Sequence, residues 1–569
     1  LQLCNRYLPK LSLAASGCQT WSKRTADIEQ RSTVQIIKSF ARSARGDAGL
    51  RTARKTIAAA VLGLCLALAL TLSVGSRDHV YISRQSLAPV AGAATPHDWL
   101  QFNVDPAHSG NNTLETSVSQ ANVAGLVRLF QVALPGIADG APGYLSGVTT
   151  SSGTQDLLFV TTKAGDIVAL DAHTGNQLWI QHNPAGDCLV NNSGPPCYTT
   201  SSPAIDPNRQ FVYSYGLDGK VHKYQVGDGM EVTDGGWPEL VTLKPFDEKG
   251  SSALATATAR SGASYLYVTT SGYLGDGGDY QGHVTTINLA DGSQNVFNSL
   301  CSDQAVHIVD PPDSPSCGQL QSGIWARAGV VYDPDTNRLY VTTGNGTFDP
   351  LRHNWGDTVL ALNPDGTGTE GNPVDNYTPA DFRQLQARDI DLGSTAPAVI
   401  PAPANSNVPH LAVLGGKDAL LRLLNLDNLS GQAALGQTGG EIGTPSRVPQ
   451  GGQILTAPAI WVNPGDGTTR VIVVNDLGIS ALTLSVDGNG NPALQPVWQN
   501  RVGGTSPIVA NNVLYYASKS GIEALDPTNG VLLWQDAGVA AFHWESPIVA
   551  NGALYVTDQN GSLTAYGLP

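Results

Sequence analysis

The side chains of this 569-residue chain with the capacity for chemistry stand mostly on glycine-rich turns. Asp276 and Asp279 flank two glycines in GDGGDYQGHV. Hard carboxylate oxygens on such a loop suit calcium, and equally cap or solvate the loop. Asn345 stands in Thr343-Gly344-Asn345-Gly346, where Asn-Gly is also a turn former. Asp389 and Asp391 precede Pro397, whose missing N–H suits the start of a strand. Carboxylates there can face an inner hollow or close an Asx turn. Lys417 sits in GGKDALLRLLNLDNLSG, as a cation for a ligand or as a solvated turn lysine. The sequence has no GxSxG, HExxH, Walker or post-strand Rossmann pattern, and its 11 His residues show no metal spacing.

The elements that must hold these residues repeat along the chain. An apolar strand, a tight turn, a second apolar strand and an Asp/Asn-Gly turn recur eight times. The clearest copies are 157–179 and 513–534; the others begin near 211, 266, 339, 411, 471 and 553. A small residue, proline and two apolar residues precede most copies, as at Ser202-Pro203-Ala204-Ile205 and Ser546-Pro547-Ile548-Val549. Gly 63 and Pro 35 count against helix bundles, and only 14% of residues are charged. Repeats of about 40–50 residues made this way are propeller blades. The expected fold is an all-β, eight-bladed antiparallel propeller. The last copy lacks an outermost strand, and 126–134 (LVRLFQVAL) is expected to supply it and close the ring. Trp544 and Glu545 then open the eighth inner strand, at the mouth of the hollow or in its packing.

The domain plan follows from charge and hydropathy. Residues 1–94 carry 13 Lys and Arg against 4 Asp and Glu, and residues 95–569 carry 19 against 43. An acidic globular part repels phosphate backbones, which argues against nucleic acid. Residues 1–56 read as a disordered basic extension. Residues 57–75 contain an apolar run behind Arg51, Arg54 and Lys55, which is an export signal or a membrane anchor. Residues 76–97 read as a linker and 98–569 as the propeller, placed outside the cytoplasm, with a membrane contact through 57–74 if that run is kept. Four cysteines lie in the propeller; proximity favours Cys188–Cys197 and Cys301–Cys317 among three possible pairings.

The pattern Ala169, Asp171, Thr174, Gly175, Trp179, with a near copy at Ala524, Asp526, Asn529, Gly530, Trp534, resembles the tryptophan-docking motif of quinoprotein alcohol dehydrogenase-type propellers. The opening DWLQFNVDPAHSG resembles theirs too, so the likeness runs over 98–569. The resemblance implies pyrroloquinoline quinone (PQQ) and calcium or a lanthanide in the axial funnel, with an alcohol-type substrate. It makes Asn345 a metal ligand and Asp276 or Asp279 stand-ins for a Glu ligand expected near Gly277. It makes either Asp391 or Asp389 the base, with Asp391 a ligand in both cases, and gives Lys417 to the quinone. The floor tryptophan of that family falls near Arg327, with Trp325 two positions away; Trp544 is a further cofactor-side candidate. The vicinal cysteine pair of many members is absent. The same fold also serves cofactor-free scaffolds, so a protein partner on the propeller face is the other expectation.

Overall fold

A computed structural model describes residues 97–183, 196–274, 276–432, 434–539 and 542–569. The expected extension, the apolar run and the linker up to residue 96 lie outside the described residues, as does Cys188. Among the described residues, no helix is long and apolar enough to cross a membrane.

Eight antiparallel sheets follow one another along the chain, at 143–181, 204–240, 255–298, 331–377, 398–447, 459–500, 508–536 and 548–567. They are arranged as the blades of a propeller. Seven take four strands each from their own segment, each strand pairing with the one before it in the blade; in the fourth, a two-stranded hairpin, Phe348–Asp349 with Asn354–Trp355, stands between the second and third. The eighth takes three from its own segment, and the strand Val127–Ala133 pairs antiparallel with Ser562–Gly567. The innermost strands begin directly after the prolines noted above: Ala204–Ile205, Ala398–Pro401, Ala459–Val462, Ile508–Ala510 and Ile548–Ala550. Proline is tolerated there because its residue need not donate to the ladder.

Packing between blades forms the core. Phe159, Ile167 and Trp179 of the first blade meet Ile205, Val212 and Tyr224 of the second. Tyr267 and Val284 of the third meet Leu339 and Leu360 of the fourth. One layer joins Tyr515 of the seventh blade, Tyr555 of the eighth and Leu158 of the first. Each such side chain contributes about 1.5–3 kcal/mol by leaving water.

The tryptophan of the repeat links neighbours by a polar bond as well. Trp179 Nε1 donates to Val226 O at 3.1 Å, and Trp498 Nε1 to Pro527 O at 2.9 Å. The ring of Trp179 lies against Gly229 of the next blade, where an added Cβ would come within 2.5 Å of it and φ is +71°. Only glycine meets both conditions.

Two departures from a plain blade bear on the site. A short strand, Glu248–Gly250, pairs with Ser264–Gly272 and sets Lys249 opposite Ser271. A one-and-a-half-turn helix, Phe382–Gln386, leads into the Asp389–Asp391 segment. Cys301 and Cys317 are joined, with an S–S distance of 2.02 Å. Cys197 is disulfide-bonded.

Candidate functional site

The segments leading into the inner strands of blades two, three, four, five and eight share one cavity of about 450 Å³. Asp276, Trp325, Arg327, Asn345, Asp389, Asp391, Lys417 and Trp544 all line it. They are drawn from positions up to 268 residues apart in the chain. A larger groove of about 760 Å³ lies between the first two blades, with Arg209 and Asp228 as its charged groups. Arg209 is already paired with Asp98 at 3.1 Å.

Asn345 and Asp391 are held together by their backbones. Asn345 N donates to Asp391 Oδ1 at 3.0 Å. Gly393 makes this approach possible: an added Cβ would lie 2.5 Å from Gly344 N. The Asn345 amide nitrogen donates to Asp389 Oδ1 at 3.3 Å, so its carbonyl oxygen takes no part in that bond. Lys417 Nζ pairs with Asp391 Oδ2 at 2.8 Å and stands 3.6 Å from Asp389 Oδ1. Its ammonium lies 5.4 Å from the centre of the Trp325 ring.

The two aspartates differ in setting. The Asp391 side chain is 7% exposed and that of Asp389 is 64% exposed. Burial raises the Asp391 pKa, against the pull of the Lys417 charge. Burial alone would depress Lys417, but the Asp391 and Asp389 carboxylates hold it above its ordinary value.

Arg327 is buried and anchored. Its guanidinium donates to Thr200 O at 2.8 Å and Ser251 O at 2.9 Å, and stacks 5.6 Å from the Trp544 ring. Trp325 and Arg327 thus share one wall, as their i, i+2 spacing implies. Asp276 accepts from Tyr280 Oη at 2.8 Å. Asp279 lies away from this wall: it accepts from Gln281 Nε2 at 2.7 Å and stands 3.8 Å from Lys244 Nζ. Among the described residues, no three His, Cys, Asp or Glu side chains form a metal-holding group.

Sequence reasoning missed Asp357, Asp139 and Lys249. Asp357 is buried, accepts from Leu392 N at 3.0 Å, and burial pushes its carboxyl up to about 8. Its backbone N–H donates to Gly344 O at 2.8 Å, so one residue ties the Asn345 turn to the Asp391 segment. Asp139 accepts from His543 Nδ1 at 2.9 Å and Lys163 Nζ at 3.3 Å. Glu545 lies beside it, and burial followed by the Asp139 charge raises its carboxyl to about 7. Lys249 enters the cavity from the short strand Glu248–Gly250. No motif marks them: Asp357 stands well past the Asn345 turn, Asp139 lies in the loop before the first blade, and Lys249 is the middle residue of a three-residue strand.

Known proteins share this plan. The family described as PQQ_2, outer membrane protein assembly factor BamB, matches residues 141–304. A quinohemoprotein alcohol dehydrogenase from Comamonas testosteroni is 23% identical over 343 residues, which are 55% of this chain and 45% of that enzyme. These matches support a PQQ-repeat, quinoprotein dehydrogenase-like propeller. The match spans less than half the length of that curated relative. The solved structure of the Comamonas enzyme overlays 84% of the propeller chain and 81% of its own, at 15% identity and a TM-score of 0.54. A europium-containing methanol dehydrogenase overlays 83% of the chain and 98% of its own, at 15% identity and a TM-score of 0.56. At these identities the structural likeness is one of fold.

Proposed function

We propose that this protein is an extracytoplasmic dehydrogenase whose axial cavity takes PQQ beside a calcium or lanthanide ion and oxidises an alcohol-type substrate. The observation that carries this reading is the meeting of Asn345, Asp389, Asp391, Lys417 and Trp325 on one wall. The donor set is a primary amide and carboxylates, hard oxygens suited to either ion. Asn345 and Asp391 would hold it, with Asp276 as the next oxygen on the same wall.

The same cavity suits a flat, carboxylated quinone. Trp325 and Trp544 offer ring faces, and Arg327 and Lys417 offer fixed positive charge. A cavity of about 450 Å³ is in the range of small-ligand sites. When bound, PQQ supplies a two-electron acceptor and the ion supplies Lewis acidity.

The chain's own part is proton handling and placement. Asp391 is the base: its buried carboxylate takes the hydroxyl proton of the alcohol. Lys417, 2.8 Å from it, keeps that carboxylate ionised and poised. The exposed Asp389 draws on the same ammonium and orients the Asn345 amide. Asp357 holds the backbone that carries both.

Reconstitution of the purified chain with PQQ and Ca²⁺ or La³⁺ tests the reading. Retained quinone absorbance and alcohol-dependent dye reduction are expected. A chain that retains no quinone and reduces no dye with either ion is not this enzyme. A second reading, a binding or assembly platform for a protein partner, is favoured by the assembly-factor family match over 141–304.

A further inference from the structure

Lys249 is a cavity lysine that the proposed reaction leaves unused. It lines the cavity while being almost fully buried, at 6% exposure. Its ammonium donates to Ser251 Oγ, which in turn meets Ser271 Oγ at 2.7 Å. The rings of Tyr198 and Tyr273 stand 5.0 and 5.9 Å from Nζ. Among the described residues, no carboxylate lies within ion-pair distance of it, unlike Lys163, Lys244 and Lys417.

The neighbouring charges add to this. Arg327 donates to the carbonyl of Ser251, the residue whose hydroxyl receives Lys249. The groups facing Lys249 are therefore the Arg327 and Lys163 cations and the more distant Asp139 carboxylate. Burial first, and then the Arg327 charge, bring the amine down to about 7. An unpaired ammonium in such a place is costly, and the neutral amine is the form that relieves the cost. A desolvated lysine beside a second cation is the setting of an amine nucleophile.

We propose that Lys249 is a nucleophilic amine that captures a small aldehyde or ketone in the cavity as an imine. The Nζ lone pair forms the C–N bond to the carbonyl carbon, and the carbonyl oxygen takes up a proton. The resulting carbinolamine loses its hydroxyl as water, with the second amine proton, and leaves a C=N bond. No oxidant or reductant is consumed. This site does not depend on the quinone reading, since neither PQQ nor a metal takes part.

The test uses the full chain, acetaldehyde and sodium cyanoborohydride at pH 7, with peptide mapping by mass spectrometry over time. Hydride from the borohydride fixes the imine as an ethyl amine. Lys249 is expected to be ethylated at least about tenfold faster than the exposed Lys519, because far more of it is unprotonated at this pH. Arg327→Gln is expected to slow the Lys249 reaction alone, since the amine then regains its proton more readily. Labelling of Lys249 no faster than that of Lys519 would overturn the proposal. So would a fast reaction that Arg327→Gln leaves unchanged in a folded protein.

Discussion

Asp391→Asn is expected to lower alcohol-dependent dye reduction by the reconstituted protein about 10²–10⁴-fold, the usual contribution of a positioned base. The amide keeps the shape and still accepts from Asn345 N, so the turn at Asn345 and the loop at Gly393 have no reason to move. It cannot take a proton from the substrate hydroxyl, and Lys417 loses its closest counter-charge. Asp389→Asn is expected to have a much smaller effect, because that side chain is mostly exposed and 3.6 Å from the ammonium. Steady-state rates for the two variants at saturating alcohol decide the matter. Loss with Asp389→Asn and not with Asp391→Asn would reverse the assignment.

Glu248→Gln is expected to destabilise the propeller by about 3–5 kcal/mol, the cost of breaking a buried ion pair on one side. Glu248 is fully buried, 3.1 Å from both Lys244 Nζ and His283 Nε2, and accepts from the Thr242 hydroxyl. Burial pushes its carboxyl up, but the His283 and Lys244 charges outweigh that and bring it down to about 2 from 4.5. The folded pKa is the lower one, so the contribution is complete above about pH 4.5. It is lost as pH falls from there toward 2, by about 3 kcal/mol in all. Urea unfolding of wild type and variant at pH 7 and pH 3.5 reads both effects. The gap between the two proteins should shrink at the lower pH. A variant within 1 kcal/mol of wild type at pH 7 would show that the network carries little of the stability.

The blades could be read from the chain because their signals are local. Proline before most inner strands and, in the clearest repeats, glycine at a left-handed turn with a tryptophan four residues further on are local to one repeat, and the proline and glycine are set there by backbone sterics. Asp391, Asn345 and Lys417 were legible through a motif, and the structure brings all three together. The polar lining was not legible in the same way. Lys249 and His543 reach the cavity because the segments entering blades three and eight meet there, and no single segment records that meeting. Asp279 shows the converse: it shares the loop of Asp276, yet Lys244 and Gln281 hold it away from the cavity. The short strand that carries Lys249 is three residues long and leaves no periodic trace.

The most direct measurement is anomalous X-ray scattering from crystals of the chain grown with PQQ and a lanthanide. A single strong peak is expected within coordinating distance of the Asn345 side-chain carbonyl oxygen and an Asp391 oxygen, with planar density against the Trp325 ring. A cavity filled by water alone, with the lanthanide found only on surface carboxylates, would contradict the central claim.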